Sequence, residues 1–158
     1  MDDVIEAMLT FLDDTGADCV AFSQGGDHVG AGMTRRRRGL LRKAMNALFL
    51  RTDRPVEFLG RINDDVNAYL VHGSRGALFL TVLPLQLNQG VTQHRPGGMS
   101  EVYLEGGTYS KSFYSVMMAP SCVTVRVLVT VGNRYHHKIL WWNAVPKILS
   151  DKHRKVAS

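Results

Sequence analysis

Apolar residues at Val4, Ile5, Met8, Leu9 and Leu12 recur at the spacing of one helical face, and Asp2 and Asp3 load the first turn with the charge that suits a helix dipole. With Gly16 as a stop just beyond, the pattern predicts a helix over residues 3–14. The run Cys19-Val20-Ala21-Phe22 has the length of a buried strand, and Ser23-Gln24-Gly25-Gly26-Asp27 then opens a glycine-rich loop that continues to about Gly32. From Arg36 to Leu50 the helical period returns: Leu40, Leu41, Ala44, Met45, Leu48 and Phe49 make an apolar face while Arg42, Lys43 and Asn46 point away. After Pro55, Val56 to Leu59 can form a strand. Asn63 then precedes Asp64 and Asp65 as a capping residue precedes an acidic first turn, predicting a third helix that carries Val66, Tyr69 and Leu70 inward and stops at Gly73. Ala77 to Leu83 reads as another buried strand, closed by Pro84.

The second half changes period. Residues 88–98, NQGVTQHRPGG, have no periodicity and many turn formers, which predicts an exposed loop. Met99 to Gly107 fits a short helix; Ser110 to Met118 reads as helix or strand, with Tyr109, Phe113, Val116 and Met117 favouring helix until Pro120. From Val123 to Val131 valine occupies every second position, the period of a strand with one well-buried face. Gly132-Asn133 turns the chain and Tyr135 to Trp142 returns it as a hairpin; a short helix around Pro146 to Leu149 precedes the end. Strands alternating with helices, then a hairpin, predict an α/β fold with a mixed β-sheet covered by helices: one domain over residues 1–150 and a basic frayed tail over 151–158.

At 158 residues, 45% hydrophobic and 21% charged, the chain has the makings of a globular core. Its longest apolar stretch, Cys122 to Val131, is interrupted by Thr124, Arg126 and Thr130, far short of the roughly 20 residues of a membrane span. The acidic start Met1-Asp2-Asp3 differs from the basic opening of a secretory signal, so a cytoplasmic location is expected. Cys19 and Cys122 each lie in an apolar run, as small buried hydrophobes do. The net charge of +5 draws partly on Arg35 to Arg38 and on Lys147 to Lys155, which makes nucleic acid an allowed partner.

No phosphate-loop, nucleophile-elbow, zinc-protease or paired-cysteine motif is present, and Gly25-Gly26 lacks the full dinucleotide spacing. Candidate chemistry therefore rests on polar clusters at predicted strand ends. Ser23, Gln24, Asp27 and His28 follow the first strand, in a loop whose glycines let amides approach an anion; a plain loop explains them equally well. Arg61, Asn63, Asp64 and Asp65 offer two adjacent carboxylates for general-base or metal-binding work, with helix capping as the alternative. His72, Ser74 and Arg75, with Gln93, His94 and Arg95, are donors that could clamp phosphate or form a solvated surface. His136 and His137 are adjacent on a strand, so their side chains are expected on opposite faces. Trp141, Trp142 and Tyr135 could stack on bases or pack at a core rim.

Taken together, the segments FLGRINDDVNAYLVHGSRGALFLTV, QHRPGGMSEVYLEGGTYSKSFYSVMMAPSCVTV and RYHHKILWWNAVPKIL resemble stretches of phage-encoded, TET-associated and other GT-A-type glycosyltransferases, over about residues 18–150, on the acceptor side of that fold. The resemblance implies a GT-A-like, truncated Rossmann-like fold. It also implies a nucleotide-sugar donor, a modified DNA base or nucleotide as acceptor, and a divalent manganese or magnesium ion, in the cytoplasm of the host cell. By the same resemblance Asp65 would be the base with Asp64 as helper, and His136 or His137 a metal ligand. Gln24, Asp27, Arg61, Asn63, Arg75, His94, Arg95, Gly97, Gly98 and Lys111 would bind substrate. One departure stands out: no Asp-rich DxD-type element precedes the first helix, and Asp2-Asp3 and Asp13-Asp14 lie on that helix instead. The expectation accordingly has two forms, an active transferase and a degenerate relative. The alternative is a phage module that binds nucleic acid or a host protein without chemistry.

Overall fold

The structure, a computed structural model, describes residues 1–24, 43–45, 47–88, 99–130 and 132–145. Helix α1 (Asp2–Thr15) buries Met8 and Leu12 and ends where the Gly16 amide donates to Asp13 O at 3.1 Å, as its apolar period predicts. Strand β1 (Cys19–Gln24) follows. It is the centre of a mixed sheet in the order β2-β1-β3, antiparallel to β2 (Leu48–Leu50) and parallel to β3 (Phe79–Leu87). Helix α2 (Asp64–Ser74) precedes β3 in the chain and buries Val66, Tyr69 and Leu70, the three residues its period selects.

Alternation along β1 explains the layering. Val20, with Phe22 beside it, faces one cluster formed with Met8, Leu12 and Ala17; Cys19 and Ala21 face the other, formed with α2 residues Val66, Tyr69 and Leu70 and with Cys122, Val123 and Ala144. The sheet thus lies between α1 on one side and α2 with the later elements on the other. The ring of Trp141 stacks on Tyr69 at 5.6 Å and closes this second layer.

Three expectations about this part of the chain are corrected. The helix expected from Arg36 to Leu50 does not include its final residues, because Leu48–Leu50 is a strand whose Leu48 and Leu50 face the α2 side while Phe49 faces the α1 side. Lys43 to Met45 are not helical either, and residues 36–42 lie outside the described residues, as do the glycine loop after Gln24, the loop from 89 to 98 and the chain from 146 onward. Val56 to Leu59 is not a strand; this segment is held instead by side chains, His72 Nε2 lying 2.9 Å from Glu57 O and Asn67 Nδ2 donating to Leu59 O at 2.9 Å. Pro84 does not close the strand, since β3 runs through it to Leu87. The register jumps there, from Phe22 opposite Val82 to Ser23 opposite Gln86, and the buried Ser23 hydroxyl bridges the bulge by donating to Leu83 O at 3.0 Å and Leu85 O at 3.2 Å.

Helix α3 (Met99–Met118) contains both predicted pieces, with a break at Gly107, whose φ of 61° and ψ of −173° suit only glycine. Strands β4 (Val123–Thr130) and β5 (Gly132–Ile139) form a separate antiparallel ribbon, Val123 opposite Ile139 and Thr130 opposite Gly132, so Gly132 and Asn133 belong to the strand rather than to the turn. The valine face is not uniformly buried: Val123 is 1% exposed, Val127 52% and Val129 79%. Only the base of the ribbon reaches the core, and its far half projects beyond it. Among the described residues no helix is long and apolar enough to cross a membrane.

Candidate functional site

Asn63 is the hub of the most developed polar cluster. It takes the N-cap position of α2 in the left-handed region, φ 54°, and its side chain makes no cap. Its carbonyl accepts the Asn67 amide at 2.8 Å to start the helix, while its buried Nδ2 reaches across to α3, donating to Lys111 O at 3.0 Å and Ser115 Oγ at 3.1 Å. His137 Nδ1 on β5 lies 3.4 Å away from the same nitrogen. One amide therefore ties together α2, α3 and the ribbon, which a capping reading of Asn63 does not anticipate.

This junction places Asp65 where two lysines bear on it. Burial pushes the Asp65 carboxyl above the usual carboxylate range; the Val66 amide, donating to Oδ1 at 2.8 Å, works against the rise, the charge of Asp64 adds to it, and the charges of Lys111 and Lys43 oppose it. Lys43 is set by its backbone, whose carbonyl accepts a hydrogen bond from Thr81 Oγ1 on β3. Asp64, next to Asp65, is exposed. The sequence thus marks Asp65, Asp64, Asn63 and Lys111, and the fold brings these together with His137; it misses Lys43 and Ser115, whose signal is only their place in three dimensions.

Other expected members fall elsewhere. His72, Ser74 and Arg75 lie at the C-terminal end of α2, two to three turns and so roughly 10–15 Å of helix from Asp65. There His72 binds the Glu57 carbonyl and the Ser74 hydroxyl donates to Val71 O at 2.9 Å, both structural tasks. Ser23 belongs to β1 and is spent on the β3 bulge. Gln24 ends β1 with its Oε1 buried and without a hydrogen-bond partner among the described residues. Arg61 is exposed beside the α2 N-terminus. Asp27, His28, Gln93, His94, Arg95, Gly97 and Gly98 lie outside the described residues.

His136 and His137 depart from simple strand geometry. Their rings do not part to opposite faces but lie 4.3 Å apart, centroid to centroid, and His136 Nδ1 sits 2.7 Å from His137 O. Even so, among the described residues no three side chains of His, Cys, Asp and Glu converge to hold a metal ion. The two histidines do not fit a metal site on their own, and positive charge at this junction comes from Lys111 and Lys43.

No family model, curated protein or solved structure matches the chain. A carboxyl whose proton affinity is raised by burial, next to two cations, can take a proton from a nucleophile and hold an anionic group beside it. The two cysteines offer no competing chemistry of that kind: burial, with the Asp18 charge behind it, pushes the Cys19 thiol up to about 12, and Cys122 is buried with its Sγ donating to Asn143 O at 3.3 Å.

Proposed function

We propose that the Asp65 junction is the acid–base site of a group-transfer enzyme acting on a phosphorylated, nucleotide-type donor, with glycosyl transfer from a nucleotide sugar to a DNA base or nucleotide as the reaction. The observation that carries this reading is the raised proton affinity of Asp65 in the company of Lys111 and Lys43. Asp65 takes the proton of the acceptor nucleophile as that atom bonds to the sugar's anomeric carbon. The bond from that carbon to the diphosphate breaks, and its electron pair leaves with the diphosphate. The two lysines offset the charge that develops there. Asn63 is a positioning residue, fixing α2 against α3 so that Asp65 and Lys111 stay in register. The family resemblance supports the glycosyl specificity, and the junction supports the acid–base role.

The test uses the full chain and a panel of nucleotide sugars, with and without manganese. Donors that bind the folded state raise Tm in the wild type and in Asp65→Asn alike, whereas added sugar mass on a DNA or nucleotide acceptor is expected with the wild type only. An unshifted Tm for every donor, with acceptor mass unchanged, rules the reading out. A second reading, binding without chemistry, draws on a different surface, the β4–β5 ribbon.

A further inference from the structure

From Gly106 to Ser150 the chain contains no aspartate or glutamate, but it contains Lys111, Arg126, Arg134, Lys138 and Lys147. Three of these share one face of the β4–β5 ribbon. The register sets Thr124 opposite Lys138, Arg126 opposite His136 and Leu128 opposite Arg134, so the three cations Arg126, Arg134 and Lys138 belong to the even-numbered face. The odd-numbered face is the packed one: Val123 and Ile139 enter the core, Tyr135 meets Tyr109 of α3 edge to face at 5.5 Å, and His137 approaches Asn63. Arg126, Arg134 and Lys138 are exposed, and among the described residues none of them makes a salt bridge. Diagonal neighbours across an antiparallel pair stand about 7–8 Å apart, near enough for like charges to repel. A ribbon that gathers cations on its outer face, with no carboxylate on either strand, is suited to a polyanion.

We propose that the even-numbered face of the β4–β5 ribbon docks on the phosphate backbone of double-stranded DNA. Charge complementarity selects the partner, and shape narrows it. Arg134 and Lys138, four residues apart on one strand, span about 14 Å at roughly 3.4 Å per residue, and Arg126 lies between them on the neighbouring strand. The cations thus follow the length of the ribbon instead of ringing its apolar tip, as a membrane anchor would require. A two-stranded ribbon fits the major groove of B-form DNA, about 12 Å wide, and does not fit the deep, narrow major groove of duplex RNA. The far half of the ribbon projects from the core of the described residues, Val129 being 79% exposed. His137, on the other face of the ribbon, borders Asn63, so the strand pair that would carry the DNA is itself joined to the Asp65 junction. The inference deepens the DNA-acceptor form of the proposed function and rests on that form only for its purpose, since binding needs no transfer.

The experiment is fluorescence anisotropy of the full chain with a labelled duplex of mixed sequence and no donor sugar, at low and moderate salt. The wild type is expected to bind, with affinity falling as salt rises. The combined variant Arg126→Gln, Arg134→Gln, Lys138→Gln is expected to bind about tenfold weaker or worse, with a salt slope shallower by about two to three. Arg54→Gln, a cation paired with Asp18 and lying off the ribbon, is expected to change affinity less than about twofold. If circular dichroism shows the combined variant unfolded, Arg134→Gln alone, on the projecting half, is expected to lower the slope by about one. Undiminished affinity of the folded ribbon variants overturns the proposal, as does stronger binding to phosphatidylserine vesicles or to duplex RNA than to duplex DNA. Ribbon-dependent binding without sugar transfer leaves this inference standing and removes the Asp65 function; transfer with ribbon-independent binding does the reverse.

Discussion

Asp65 and Ser23 show how a polar side chain can lower or raise stability according to what surrounds it. Ser23 is buried at the one place where β1 and β3 fall out of register, and its hydroxyl donates to two carbonyls of the bulge. Ser23→Ala removes that bridge, for an expected loss of about 1 kcal/mol in urea unfolding. Asp65 has the opposite sign. Burial raises its carboxyl, so between the ordinary aspartate value and the raised one the folded chain holds more protons than the unfolded chain, and stability falls as pH rises through that window. Above the window the cost is complete. Asp65→Asn is therefore expected to be more stable than wild type at pH 7, with the difference closing below about pH 4. Equal urea midpoints at pH 7 would show that the carboxyl carries no such cost. A group that costs stability where it stands is a sign of work other than folding.

Elements built on a clean period were legible, and those whose residues serve two partners were not. The first and third predicted helices follow directly from their apolar spacing, and the break in α3 falls at the glycine that separates its two predicted pieces. Leu48-Phe49-Leu50 reads as the tail of a helical face because consecutive apolar residues satisfy a broad helical stripe. On a strand beside β1 they instead fill two cores on opposite faces, a fact that only the pairing with β1 supplies. The valine ladder of β4 shows the converse limit: period two gives the strand correctly but says nothing about how far along it the core extends. In the candidate site, Asp64, Asp65 and Asn63 were visible as an acidic helix start, and Lys111 came from the resemblance. Lys43 and Ser115 carry no local signature and arrive through Thr81 and Asn63. At Gly107 the backbone makes its own test: Gly107→Ala puts a side chain into a conformation suited to glycine and is expected to cost about 1–3 kcal/mol in Tm or urea measurements. A cost near zero would mean that the two halves of α3 join in another way.

The molecule as a whole is organised around β1, which is covered on both faces, and thins out toward the ribbon tip. Cys19, Val20 and Ala21 are each 0% exposed, whereas Val127 and Val129 stand largely in solvent. Native-state hydrogen exchange should reflect this gradient, with β1 amides exchanging slowest through global unfolding and amides of Leu128, Val129 and Asn133 exchanging far faster through local opening. Comparable protection in both places would mean that the tip is covered in solution. Ion pairs brace the side of the sheet away from the candidate site: Arg51 binds Asp53 at 2.9 Å and Asp13 at 3.0 Å, and Arg54 binds Asp18 at 3.1 Å. They clamp the end of α1 and the turn before β1 to the segment that follows β2, and leave the Asp65 junction out of the network.

Pro84 has a further effect beyond the bulge it occupies. Strand β3 is one of the two edge strands of its sheet among the described residues, and an edge strand offers a free row of amides and carbonyls to any other chain that drifts past. Proline removes one donor from that row, and the three-residue slip around it puts the remaining groups out of step. A neighbouring molecule attempting to add itself to the sheet would find no continuous template beyond Val82, which discourages fibrillar self-association of a chain whose interior strands are strongly apolar.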